Sequence, residues 1–388
     1  MSKNTLKKIL IVFGTRPEAI KMAPVFHAFK QVHDEFETRV CVTAQHREML
    51  DHVLTLFDIK PDYDLDIMKK GQDLTHITSR ILNDMQGVLK DFEPDLVLVQ
   101  GDTSTAFTTA LAAFYHQTKV AHVEAGLRTQ NIYSPWPEEL NRKLIGSIAN
   151  IHFPPTAISK NNLVKENINP DNIYITGNTV IDALLKIVNK IEKDKTLRSE
   201  LDAEFNFLDP KKRMILVTGH RRESFGDGFK SMCQAMKSIV EQFPDVELLY
   251  PVHLNPNVQK PVNEILKIKD AEFSNRVHLI QPVEYEKFIY LMNRAYIILS
   301  DSGGVQEEAP SLGKPVLVMR DITERPEAVE SGCVRLVGTT SKKIFNETKT
   351  LLENDDTYLS MSQSNNPFGD GTAAEKIVKV VKDNLYGY

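Results

Sequence analysis

Apolar residues in this chain fall into short runs, and between the runs they recur at helical spacing. Residues 8–13 (KILIVF) read as a buried strand, and 14–18 turn into a helix over 19–29, where Pro17 fits the first turn because its missing N–H is no loss there. The alternation continues with strands over 39–43, 96–99, 120–123, 151–153 and 173–176. Helices are expected over 48–57, 74–92, 106–116, 138–149, 158–166 (capped by Thr156) and 179–193. Residues 194–212 are charged, irregular and poor in strand formers, and read as a linker. Strands then resume over 214–218, 247–251 and 277–280, with helices over 229–243 and 284–295. The stretch 297–326 holds a strand, the turn SDSGG, a helix over 305–312 closed by Gly313 and a second strand over 315–319, which is one βαβ unit. Helices over 341–354 and 372–385 follow. Such βα alternation implies parallel sheets covered on both faces. The expected fold class is α/β, with one Rossmann-like domain over 1–193 and another over 194–371. The last helix, within 372–388, has no strand after it and is free to cross back onto the first domain.

Composition narrows the function more than the fold. A chain of 388 residues fits two domains of ordinary size. Net charge of -5 with interspersed signs argues against a nucleic-acid or membrane-surface partner. Cys41, Cys233 and Cys333 are few, odd in number and far apart, so neither a disulfide framework nor a cysteine metal site is expected. The apolar run 9–13 is too short for a signal sequence and meets Arg16 and Glu18, so the protein reads as cytoplasmic, without membrane insertion.

Open parallel sheets bind ligands beyond the carboxyl ends of their strands. The polar turns lie at such ends: Thr15-Arg16, Asp102-Thr103, Glu124, Gly219 to Arg222, and Ser302-Gly303-Gly304. With two sheets facing each other, they could converge on one interdomain cleft. The Ser302–Gly304 turn leaves backbone N–H groups free at a helix start, and its glycines let an anion approach. Glu307 and Glu308 beside it could accept from ribose hydroxyls, and Arg320 and Arg325 follow, so a nucleotide-diphosphate site is expected. It is not a P-loop, since Gly313-Lys314 is followed by Pro315.

Ten blocks then stand in one order: GTRPEAIK (14–21), TAQHREML (43–50), GDTST (101–105), HVEAGLRT (122–129), SPWPEELNR (134–142), TGNTVIDAL (176–184), TGHRRESFG (218–226), YPVHLNPNV (250–258), DSGGVQEEAPSLGKPVLV (301–318) and TERPEAV (323–329). The series resembles the bacterial non-hydrolysing UDP-N-acetylglucosamine 2-epimerase family. The resemblance implies two Rossmann-like domains in the GT-B glycosyltransferase arrangement, a homodimer, and interconversion of UDP-N-acetylglucosamine and UDP-N-acetylmannosamine for cell-surface polysaccharide precursors. It implies cleft contacts for Arg16 and Lys21, and reaction carboxylates at Asp102, Glu124 and Glu138. His220 resembles a catalytic or phosphate-contacting histidine, and Phe288 the residue packing on uracil. Ser302, Gly303, Gly304 and Glu308 resemble diphosphate and ribose contacts, and Arg325 a further substrate contact. Val283 stands where some relatives carry a polar Gln, so a contact there would run through its backbone. Gln45, Gln72 and His253 resemble residues around a second, regulatory substrate site in some relatives.

The chemistry asks for such residues. C2–H of the sugar is not next to a carbonyl, so no protein base removes it directly. Transient oxidation with a nicotinamide would need a dinucleotide fingerprint, and no G-x-G-x-x-G follows any strand, so no cofactor is expected. Departure of UDP from C1 would acidify C2–H instead. It needs positive charge and N–H donors on the diphosphate, available from Arg16, Lys21, His220, Arg325 and the 302–304 turn. It also needs carboxylates that exchange a proton on each face.

Each residue has a plainer role open to it. Asp102 could cap a helix, Glu124 could be a solvated charge, and Glu138 and Glu139 could serve a helix dipole, Glu139 more so. His220 could be a turn histidine, although Arg221 and Arg222 favour an anion site, and Phe288 could be core. His46, His122 and His253 lack metal-ligand spacing, so no metal is expected. A glycosyltransferase, a hydrolysing epimerase that frees UDP, and a nucleotide-sugar sensor are the rival classes.

Overall fold

A computed structural model describes residues 6–44, 47–69, 71–267 and 272–387, the side chain of Glu48 excepted. The chain divides into two compact units, 1–183 with 368–388, and 184–367. The division falls inside the helix Thr179–Lys193, some residues before position 193.

The first unit is built on six parallel strands: β1 (Lys7–Phe13), β2 (Phe36–Val42), β3 (Tyr63–Asp64), β4 (Leu96–Gln100), β5 (Lys119–Val123) and β6 (Ile151–Phe153). Their order is β3-β2-β1-β4-β5-β6, the order of a Rossmann sheet. Ile9 to Phe13 of β1 are all fully buried, as a central strand covered on both faces requires. One core gathers Leu10, Val12, Val97 and Val99 with Ile81, Met85 and Leu89 of the helix Leu74–Phe92. The helix Ala373–Tyr386 belongs to this unit. Lys382 pairs with Glu35 at 2.8 Å, the Tyr386 hydroxyl donates to the Glu35 carbonyl at 2.6 Å, and Asp182 accepts from Ala373 N and Ala374 N at the helix start.

The second unit repeats the plan with β7 (Arg213–Thr218), β8 (Val246–Pro251), β9 (Val277–Ile280), β10 (Ile297–Ser300), β11 (Val316–Val318) and β12 (Val334–Leu336). The order β12-β11-β10-β7-β8-β9 is the same Rossmann order within this unit. Its core joins Ile215, Val217, Leu248 and Leu299 to Phe229, Met232 and Met236 of the helix Asp227–Gln242. Among the described residues, no helix is long and apolar enough to cross a membrane. The three cysteines are free and buried.

Three local expectations are corrected. Residues 194–212 contain the helix Lys195–Glu204, whose Asp194 caps Thr196 N and Leu197 N. Arg198 pairs with Asp202 one turn on, and Leu201, Phe205 and Leu208 are buried, so charge here marks a helix surface. Residues 173–176 form no strand, only a bridge from Ile173 to His152. β6 is followed by Pro154 and Pro155, which have no N–H to extend a ladder. The helix Pro256–Leu266 has no counterpart in the sequence reading. Asn255 caps it and Pro256 suits its first turn, but Pro261 inside it reads as a helix breaker and masked the signal.

Candidate active site

In the first unit the turn after β1 is held from below. Glu18 is 1% exposed; its Oε2 accepts from Gly14 N (3.1 Å), Thr15 N (2.9 Å) and Thr15 Oγ1 (2.8 Å), and its Oε1 from Thr103 Oγ1 (2.7 Å). Burial pushes this carboxyl up to about 7, against the pull of those four donors. It therefore joins the turn bearing Arg16 to the turn bearing Asp102. Gly14 is needed for the close approach, since a Cβ there would overlap Oγ1 of both Thr43 and Thr105.

β4 and β5 are neighbours, and their ends carry the two carboxylates. Glu124 is buried and left-handed at φ 60, a conformation that costs a non-glycine residue about 1–3 kcal/mol and is retained where the surroundings impose it. Lys21 Nζ reaches both its oxygens, at 2.6 and 2.7 Å, Asn178 Nδ2 donates at 3.1 Å, and Gln100 Nε2 donates as well. Lys21, expected among the cations for the diphosphate, thus has its ammonium on Glu124. Asp102 Oδ2 accepts from Arg142 Nε at 2.7 Å and pairs with its Nη2 at 2.7 Å. Arg142 also pairs with Glu139 at 3.0 Å. Glu139 is fully buried and accepts from Thr129 N and Gln130 N, so it holds the loop before its helix. Glu138, half-buried, opens that helix, one turn from Arg142. His122 donates from Nε2 to the Gly101 carbonyl at 2.7 Å, and burial pushes it down to about 3, so it is a neutral support of the Asp102 turn.

In the second unit Asp301 organises the turns. It is fully buried, and its Oδ2 accepts from His220 N (2.7 Å) and Arg221 N (2.8 Å). The His220 side chain is only partly exposed, at 45%, and its ring stacks on His253, with centroids 5.3 Å apart. Burial lowers the His220 pKa, Asp301 opposes that, and His253 and Arg221 add to it. Ser302 N donates to Ser300 Oγ, and the helix Gly303–Glu308 starts there. Arg325 binds Glu307 at 2.5 Å, and its guanidinium lies against Gly303. The Tyr285 hydroxyl donates to Glu308 at 3.2 Å. Arg320, by contrast, is bound to Glu223 at 2.6 Å. Phe288 and Val283 are half-buried, outside the core. Gln72 accepts from Lys69 N in its own loop, and Gln45 lies outside the described residues.

Arg142, Glu139, Asn178, Gln100, Glu18 and Asp301 were assigned no site role in the sequence reading. The spacing of Glu138, Glu139 and Arg142 offered a signal, because i,i+3 and i,i+4 partners share a helix face. Glu18 also had a local signal, the Thr15-x-x-Glu18 spacing of a capping box, whereas Gln100, Asn178 and Asp301 are recognisable only by their distant partners.

Two Rossmann-type units, each with its polar turns at the carboxyl ends of its strands, define a double α/β protein of the kind that binds its ligands at those turns. The family model described as UDP-N-acetylglucosamine 2-epimerase matches residues 29–382. The chain is 58% identical over 377 residues to the UDP-N-acetylglucosamine 2-epimerase of Escherichia coli O157:H7, covering 97% of this chain and 99% of the relative. The crystal structure of UDP-GlcNAc 2-epimerase from Neisseria meningitidis bound to UDP-GlcNAc has a TM-score of 0.88 at 51% identity, over 97% of this chain and 100% of that one. An S. aureus MnaA–UDP co-structure has a TM-score of 0.85 at 41% identity, over 98% and 97%. The chain belongs to the UDP-N-acetylglucosamine 2-epimerase family, a family of isomerases.

Proposed function

We propose that this protein interconverts UDP-N-acetylglucosamine and UDP-N-acetylmannosamine by eliminating UDP and adding it back, without a nicotinamide or a metal. The observation that carries the reading is the full-length match to relatives named for this reaction. Support comes from Asp102 and Glu124 at adjacent strand ends, each held by a basic side chain.

The chemistry runs as follows. A carboxylate takes the C2 proton, the C2–H electron pair becomes the C1–C2 double bond, and the C1–O bond breaks toward the diphosphate. Re-addition of UDP with protonation of C2 from the other face gives the epimer. Asp102, Glu124 and Glu138 are the groups assigned to these transfers. A carboxylate fixed by two or more donors keeps its geometry while the proton moves, which is where positioned acid–base groups gain their effect. Arg325, the 302–304 turn and His220 would hold the diphosphate, with Arg16 adding charge as the C–O bond lengthens. Phe288 and the Val283 backbone would meet the uracil, and Glu308 the ribose. Cytoplasmic action, a homodimer, service to cell-surface polysaccharides and a regulatory role for Gln45, Gln72 and His253 belong to the same proposal.

The test is product analysis by NMR with the pure protein and UDP-N-acetylglucosamine alone in D2O. We expect UDP-N-acetylmannosamine with deuterium at C2. Product with C2–H fully retained would overturn the elimination. Free UDP and N-acetylmannosamine would mark a hydrolysing enzyme, and no turnover without an acceptor a glycosyltransferase.

A further inference from the structure

Asp301 does more than tie a turn. Its Oδ2 takes the two backbone N–H groups of His220 and Arg221, while its Oδ1 is buried and has no hydrogen-bond partner. That oxygen stands 3.6 Å from His220 Nδ1, a few tenths of an ångström beyond hydrogen-bond range. A buried lone pair without a donor is costly, so the nearest ring nitrogen is under pressure to carry a proton toward it.

We propose that Asp301 is a positioning residue that selects the Nδ1–H form of His220 and thereby presents Nε2 to the diphosphate of the nucleotide sugar. The inference rests on the role given to His220 above. In the neutral ring the proton sits on Nδ1 and faces Asp301, and a second proton goes to Nε2. The imidazolium then donates from Nε2 to the oxygen that gains charge as UDP leaves. Asp301 favours that charged form. His253, stacked on the ring, and Arg221, next along the chain, both oppose it. His253 cannot supply the missing donor from its own Nδ1, which accepts from Asn255 N at 3.1 Å. The orientation logic is that of a carboxylate behind a catalytic histidine, where an amide in its place enforces the wrong tautomer.

Asp301→Asn tests this. The amide oxygen can keep both backbone bonds, which leaves the NH2 facing Nδ1 and turns that nitrogen into an acceptor. We expect kcat to fall about 10- to 100-fold, below the ~10²–10⁴-fold contribution of a group that itself transfers the proton because Asp301 acts through His220, with KM changed less than about 3-fold. The alkaline limb of the kcat–pH profile should move to lower pH, a shift that a purely structural role would not produce. Long-range 1H–15N spectra of the unsubstituted protein labelled on histidine, with the His220 signals identified from His220→Gln, should show neutral His220 protonated on Nδ1. A neutral ring protonated on Nε2, or an Asp301→Asn profile superimposable on wild type, would overturn the proposal. The tautomer spectrum is read on the unsubstituted protein and needs no turnover, so failure here is separable from failure of the proposed reaction.

Discussion

Glu18→Gln is the substitution whose effect the structure lets us work out. The carboxyl is 1% exposed and raised from 4.5 to about 7, because burial outweighs the donors of Gly14, Thr15 and Thr103. Below the unfolded value, folded and unfolded chains both carry the proton and nothing is lost. Above the folded value, the native state must hold a buried charge that the unfolded chain keeps in water. Stability from this group is therefore present at low pH and lost as pH rises from 4.5 through about 7. The full loss is about 3 kcal/mol at 1.36 kcal/mol per unit, and about 2 kcal/mol of it falls between roughly pH 5.5 and 8. Glutamine has no such dependence, and its amide oxygen can still accept from Gly14 N and Thr15 N. The assay is urea unfolding by circular dichroism at several pH values, read as wild type minus variant, so that the other groups cancel. Asp182, raised to about 6 by burial, is one of those. Wild type should weaken against Glu18→Gln by about 2 kcal/mol over that window. A constant separation would refute the reasoning and mean that the four donors keep Glu18 ionised throughout.

Asp102→Asn, Glu124→Gln and Glu138→Gln should each cut turnover by about two to four orders of magnitude while the fold persists, checked by epimerase rate and circular dichroism. Combined, the losses should fall short of multiplying, since the three act on one proton-transfer sequence. Glu308→Ala should weaken UDP binding about 10- to 100-fold in calorimetry and change kcat little, because a ribose contact is common to ground and transition states. Sedimentation across the working concentration range should find a homodimer, and a monomer throughout would remove that part of the proposal.

Much of the fold lies in local pattern. Residues 9–13 of β1, fully buried, are a continuous apolar run, and the helix Leu74–Phe92 follows from apolar spacing alone, with matching ends. Local chemistry also marked Thr156, whose hydroxyl caps Ser159 N, and the turn at 302–304. The errors came where local cues conflict with a tertiary partner. The helix Lys195–Glu204 looks like a linker until Leu201, Phe205 and Leu208 find a core. The prolines after β6 end a ladder that the apolar residues at 173–176 seemed to continue.

The sequence by itself determined two rounds of βα alternation, the polar turns at the strand ends and the kinds of residue placed there. Periodicity and cap chemistry act over a few residues, and so does the information they carry. Tertiary structure decided which side chains those turns depend on. Asn178 reaches Glu124 across 54 positions, Glu18 reaches Thr103 across 85, and Asp301 reaches the backbone of His220 across 81. It also decided that Asp182 closes the start of a helix 191 residues further on. A buried carboxylate and an exposed one are the same letter in a sequence. Only the folded chain brings the distant donors that make burial tolerable, and with them the geometry of the site.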